Sequence, residues 1–218
     1  MAGSEEQEAG GSVKGASALR MPYALLPGFM GSDFARQLVD AGCADPARHS
    51  RAEVTSPNEK RALDPGSRRS WTIENPPNLL ENFEATIEQR LGELCTRVGL
   101  HAPDNPFIEC GLSAYRDGDY FRPHVDLFTE TKRAYATYDR MLTAVYYAHR
   151  EPAGFKGGEL VLHPPFGAGE SAIVAPANDL LVLFPSFVPH EVREVRVPGD
   201  ALEDARFSIN CWAGRRIG

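Results

Sequence analysis

Two periodicities divide this chain. In its first half, apolar residues recur at three- and four-residue steps. Across NLLENFEATIEQRLGELCTRVGL, Leu80, Phe83, Ile87, Leu91, Leu94 and Val98 fall on one stripe, which predicts a helix over 78–100 ended by Gly99. A shorter helix is expected in GSDFARQLVDAG, with Ser32 or Asp33 as N-cap and Phe34, Leu38 and Val39 on its apolar face. MPYALLPGF ahead of it reads as a short strand. From Phe107 the texture changes to short apolar or alternating runs punctuated by Gly, Pro and Asp: FIECGLSAY, YFRPHVD, RMLTAVYYA, GELVLH, SAIVA, DLLVLF, HEVREVRV and ARFSINCWA. Runs of this length at this spacing predict an antiparallel sandwich or barrel. The fold class expected is therefore an all-β core of jelly-roll type with flanking helices (α+β), as a single domain over 19–218. In that domain 19–106 would give helical support and 107–214 the β core, with 1–18 a flexible Gly/Ser/Glu tail.

Composition adds to this picture where it excludes something. Twenty glycines and 17 prolines in 218 residues suit many turns and short strands. A formal charge of −7 lacks the basic field that sequence-independent nucleic-acid binding needs, so no nucleic-acid partner is expected. No apolar run is long enough for a membrane span, and no membrane partner is expected either. Four scattered cysteines, without a CxxC pair, point away from a disulfide framework and toward a reducing, cytoplasmic setting. The overall charge hides a local excess: between 48 and 69 the basics outnumber the acids six to three.

The candidate chemistry lies in YRDGDYFRPHVDLF. On a strand, i and i+2 share a face, so one strand can aim the His124 imidazole and the Asp126 carboxylate at one point. His190, 64 residues further on, is the third candidate. Two His and one carboxylate with positions left open form the facial triad that suits non-haem Fe(II). In ARFSINCWAG, alternation sets Arg206, Ser208, Asn210 and Trp212 on one face and Phe207, Ile209 and Cys211 on the other. That strand suits a barrel with a wet interior pocket, where a buried Arg206 needs an anion.

Together these residues resemble the Fe(II)/2-oxoglutarate-dependent dioxygenases with a double-stranded β-helix core, and among them the prolyl 4-hydroxylase-like branch. Tyr115-x-x-Gly118-x-x-Phe121-x-x-His124, Lys156-Gly157-Gly158-Glu159-Leu160, Pro189-His190-Glu191-Val192 and Arg206-Phe207-Ser208-Ile209-Asn210-Cys211-Trp212 each match a piece of that pattern, over roughly 107–214. The chain departs from it between His190 and Arg206, where VPGDALEDA looks like an insertion. The resemblance implies Fe(II) held by His124, Asp126 and His190. It implies 2-oxoglutarate with its far carboxylate on Arg206 and hydroxyl hydrogen bonds from Ser208 and either Tyr147 or Tyr115. O2 is the co-reactant, and ascorbate a candidate stimulant. The implied reaction hydroxylates an unactivated C–H and releases succinate and CO2. Asn210, Trp212 and Tyr120 are candidate pocket residues. Arg68 and Arg69 are candidates for a substrate lid over 44–70, and 127–140 is a second candidate lid.

The substrate expected is a small or amino-acid-like molecule, with a peptide or protein side chain such as proline as the alternative. Two readings of other classes fit less well. A cupin-type metal isomerase wants an HxH pair with a following Glu, which this chain lacks. A metal-free binding module leaves Arg206 and the paired ligands unexplained.

Overall fold

The structure, a computed structural model, describes residues 21–55, 61–74, 78–128, 130–133, 136–165, 167 and 169–217. The expected tail at 1–18 and Lys60 of the basic stretch lie outside the described residues.

Two antiparallel sheets make the β core. The larger runs, in spatial order, Ala24–Pro27, Leu180–Pro185, Tyr138–Ala148, Arg206–Arg216, Pro106–Tyr115, Trp71–Ile73 and His49–Arg51. The smaller runs Ala172–Val174, Leu160–Leu162, His190–Val192, Tyr120–His124 and Arg68–Arg69. Strand alternation decides which face each residue of the larger sheet joins. Leu181 and Leu183 face one way, as do Leu142, Ala144, Tyr146, Phe207, Ile209 and Cys211. These pack with two helices, α1 (Ser32–Ala44) and α2 (Leu79–Arg97). Val182, Phe184, Val145, Tyr147 and Tyr115 face the other way. They pack against Leu160, Leu162, Val174 and Val192 of the smaller sheet. The helices thus back the larger sheet and leave its inner face to the space between the sheets.

Helix α2 buries Leu79, Phe83, Ile87, Leu91, Leu94 and Cys95, close to the expected stripe, with Leu80 at its margin. Helix α1 forms where expected, but neither Ser32 nor Asp33 caps it. Gly31 occupies the N-cap, and no side chain of the segment bonds there. The role passes to Asp179, distant in sequence, whose Oδ1 accepts from the backbone N–H groups of Met30 (2.9 Å) and Gly31 (3.1 Å) and from the Tyr146 hydroxyl (2.9 Å). One buried carboxylate therefore ties the helix entrance to the larger sheet, a long-range contact that a local reading of Ser and Asp does not reveal.

The stretch 19–106 is more than helical support. It supplies Ala24–Pro27, His49–Arg51 and Trp71–Ile73 to the larger sheet and Arg68–Arg69 to the smaller one. Most of its basic residues are committed locally. Arg51 pairs with Asp119 (3.1 Å) and lies over the Trp71 ring, Arg48 pairs with Asp45 (3.4 Å) and Arg61 with Glu53 (3.3 Å). The insertion after His190 forms two short 3-10 turns, Pro198–Asp200 and Leu202–Asp204. Arg116 holds the first through Asp200 (2.7 Å) and Arg150 the second through Asp204 (3.2 Å). Arg206 follows directly, so the insertion leaves the last core strand in register. Within 127–140 a single helical turn spans Glu130–Arg133. All four cysteines are free thiols.

Candidate metal and cosubstrate site

His124 ends the Tyr120–His124 strand, and His190 begins its neighbour, directly opposite it in the smaller sheet. The register between these strands slips by one residue, so that Val192 faces Phe121. This irregularity puts the Phe121 and His124 rings on one face, stacked at 3.5 Å, although they are three residues apart. Asp126 lies beyond the strand end, so simple alternation does not aim it. Its backbone N–H donates to the Ser186 carbonyl (3.1 Å), which fixes the chain there and turns its carboxylate inward. Ligand atoms of His124, Asp126 and His190 all lie within 4.8 Å of one another.

Both imidazoles are oriented from behind. Nδ1 of His124 donates to the Arg122 carbonyl (2.8 Å), and Nδ1 of His190 to the Val188 carbonyl (3.0 Å). A carbonyl only accepts, so each ring carries a proton on Nδ1 and presents Nε2 to Asp126, at 3.8 Å and 3.5 Å. Burial, reinforced by the neighbouring His190, pushes the His124 pKa down to about 3, so the ring is neutral at physiological pH. Burial works to raise the Asp126 pKa, but the two imidazoles and the Thr143 hydroxyl hold it below the ordinary carboxylate value. Two imidazoles presenting Nε2 and one carboxylate on one side of a cavity are a donor set suited to a divalent iron ion with open coordination positions.

Two residues of this site, Thr143 and Ser186, carry no motif. The Thr143 hydroxyl donates to Asp126 Oδ2 (2.8 Å) and accepts from Ser186 (3.0 Å), both fully buried. The available signal was Thr143 itself, a lone polar residue in the apolar run MLTAVYYA on the inward-facing parity.

The cavity extends from the triad along Val145, Leu160 and Val192 to Arg206. Cross-strand pairing assembles its deep end: Arg206 lies opposite Tyr115, and Ser208 opposite Tyr147. Arg206 is 1% exposed, its guanidinium between the Tyr115 (4.7 Å) and Tyr147 (4.6 Å) rings. Its Nε and Nη1, the Tyr147 hydroxyl and the Ser208 hydroxyl have no hydrogen-bond partner among the described residues. Ring contacts of this kind offset about 0.5–2 kcal/mol, whereas an unpaired buried charge costs several kcal/mol. The balance leaves a deficit that a carboxylate would close. The terminal carboxylate of 2-oxoglutarate fits that demand, with the cavity's aliphatic walls leading back to the triad. Gly158 makes the approach possible. Its φ is +72°, and a Cβ there would come within 2.9 Å of both Arg206 Cδ and Val195 Cγ2.

The other expected residues separate. Asn210 and Trp212 line the cavity, as does Arg68. Tyr120 does not: its hydroxyl donates to the Pro65 carbonyl (2.6 Å), because the register slip gives the inward position to Phe121. Arg69 alternates away from Arg68 and is exposed. Of the expected lid pair, Arg68 and Arg69 form a short strand of the smaller sheet, and Arg68 lines the cavity.

Comparison with known proteins agrees with this geometry. The family model of the 2OG-Fe(II) oxygenase superfamily matches residues 110–214, which include the triad and Arg206. An uncharacterised PKHD-type hydroxylase of Synechocystis sp. is 31% identical over 153 residues, 65% of this chain and 47% of that protein. The chain thus spans about half the length of this curated relative. Among solved structures, a Trichoplax adhaerens prolyl hydroxylase, in complex with a hypoxia inducible factor oxygen degradation domain peptide fragment, superposes with a TM-score of 0.67 at 16% identity, covering 89% of this chain and 84% of its own. A Pseudomonas putida prolyl-4-hydroxylase gives 0.64 at 23% identity, covering 91% and 95%. Both share the fold. The superfamily works with Fe(II), 2-oxoglutarate and O2, the groups that the triad and the orphaned Arg206 are suited to take. Over residues 110–214, just under half of its length, the chain is similar to the 2OG-Fe(II) oxygenase superfamily, and the same stretch holds the triad and Arg206.

Proposed function

We propose that this protein is an Fe(II)- and 2-oxoglutarate-dependent hydroxylase acting on an unactivated C–H of a small, amino-acid-like substrate, with release of succinate and CO2. One observation carries the reading. A facial His124–Asp126–His190 set and a buried, unpaired Arg206 stand along a single cavity, a metal site beside a carboxylate site.

In this reading His124, Asp126 and His190 hold the metal through Nε2, a carboxylate oxygen and Nε2. When bound, iron would let O2 act as the oxidant, with 2-oxoglutarate supplying two electrons as it is oxidised to succinate and CO2. The chain's own work is to bind, orient and keep water out. Arg206 clamps the far carboxylate, while Ser208 and Tyr147 offer hydroxyl donors beside it. Leu160, Val192 and Val145 keep that end dry. Thr143 fixes the rotamer of Asp126. Phe121 and Trp212 wall the space above the metal set. A cytoplasmic setting is part of the proposal, since a reducing compartment keeps both iron(II) and the four free thiols reduced.

The alternative substrate, a prolyl side chain of a peptide, is supported by the prolyl hydroxylases that share the fold. A direct test covers the common chemistry. Adding Fe(II) and then 2-oxoglutarate without oxygen should produce a weak visible charge-transfer band, and admitting air should yield succinate. Absence of both would falsify the oxygenase reading. Asp126→Ala should lose the band and reduce turnover by at least 100-fold while keeping a native circular dichroism spectrum.

A further inference from the structure

Two arginines line the cavity, and Arg206 uses only one end of it. Arg68 comes from the strand paired with the metal strand, directly opposite Phe121. Its guanidinium sits 4.8 Å above the Phe121 ring, whose other neighbour is the His124 imidazole at 3.5 Å. It therefore belongs to the metal end of the cavity. Among the described residues its hydrogen bonds go to hydroxyls alone, Ser70 Oγ (2.7 Å, from Nε) and Ser113 Oγ (3.5 Å, from Nη2). It makes no ion pair among the described residues, whereas Arg51, Arg116, Arg140 and Arg150 nearby each hold a carboxylate. Ser113 also accepts from Asn210 Nδ2 (3.0 Å), and the Asn210 amide oxygen has no donor among the described residues. A guanidinium fork with no acid and an amide oxygen with no donor thus share one wall beside the metal set.

We infer that Arg68 is the specificity residue for the substrate: it takes a free carboxylate, and Asn210 takes an N–H of the same molecule. The substrate class is a free amino acid rather than an internal residue of a polypeptide, whose carboxyl is tied up as an amide. The inference rests on the proposed function, because it places the substrate beside the same metal. Planar bidentate pairing of guanidinium with carboxylate gives the discrimination, and a carboxamide lacks the charge that this pairing needs.

The test is thermal stabilisation of the Mn(II)–2-oxoglutarate complex, which needs no turnover. The probes are the twenty L-amino acids, each as the free acid and as its α-carboxamide. At least one free acid should bind, and its amide should bind at least tenfold more weakly. Arg68→Gln should erase that difference while keeping the stabilisation by Mn(II) and 2-oxoglutarate. Arg68→Lys should restore part of it, and Arg69→Gln should leave it unchanged. Acid and amide binding alike, no probe binding, or a preference that survives Arg68→Gln would each overturn the assignment. Loss of 2-oxoglutarate stabilisation in Arg68→Gln would overturn it too, by giving Arg68 to the cosubstrate. Failure of the wild type to be stabilised by Mn(II) with 2-oxoglutarate would instead defeat the oxygenase reading, so the two failures are distinguishable.

Discussion

Thr143 shows how much a single hydroxyl can decide. It is the donor to the one anionic ligand in the metal set, and Ser186 is in turn the donor to it. Replacing it with valine keeps the shape, but it strands a carboxylate oxygen and a serine proton in a buried place. Supports behind metal ligands contribute about 10–100-fold to affinity. Thr143→Val is therefore expected to weaken Mn(II) binding by at least tenfold in a titration followed by electron paramagnetic resonance, with Thr143→Ser close to wild type. Equal affinities in all three proteins would show that Asp126 holds its rotamer unaided. The triad itself was legible from residue types and spacing. Thr143 was not, because its meaning depends on a hydrogen-bond partner 43 residues away.

At the scale of elements, sequence reading succeeded where information is local and failed where it comes from pairing. The stripe of α2 and the alternation Arg206–Ser208–Asn210 against Phe207–Ile209–Cys211 follow from one segment's own period, and both are observed. The cap of α1 lies on Asp179, and the inward place of Tyr120 went to Phe121 through a register slip between two strands. Neither can be read from one segment alone. The short strands within 44–70 have too few residues to show a period, so they looked like loop. The glycine pair before Leu160 is a further element-scale device. A side chain at Gly158 meets Arg206 and Val195 at 2.9 Å in a backbone conformation that disfavours any Cβ. Gly158→Ala should push the guanidinium off its place between the two tyrosines. The expected readout is a KM for 2-oxoglutarate raised about tenfold or more, with Mn(II) affinity nearly unchanged. If metal binding falls in parallel, the turn supports the triad and not the carboxylate site.

For the whole molecule, the metal set makes stability depend on pH. The His124 pKa of about 3 in the folded protein lies far below the roughly 6.5 of an unfolded imidazole. Between those values the unfolded chain takes a proton that the folded chain refuses, so stability falls as pH drops through that window. Asp126 adds to the loss further down. Its depressed pKa contributes stability above the unfolded value near 4, and that stability goes as pH falls through the folded value. The metal-free protein should show a falling urea midpoint from about pH 7 to pH 5, and His124→Gln should flatten that slope. Identical slopes would place the responsible proton elsewhere. The smaller sheet has a different kind of consequence. The strand carrying Arg68 is joined to the metal strand through pairing at Phe121 and Tyr120, a bond between peptide groups that is indifferent to side chains. Residue 68 can therefore change by single codons while the main chain keeps the iron ligands where they are. With Arg68 as the proposed substrate contact, a change of preference there leaves the metal set's own supports in place.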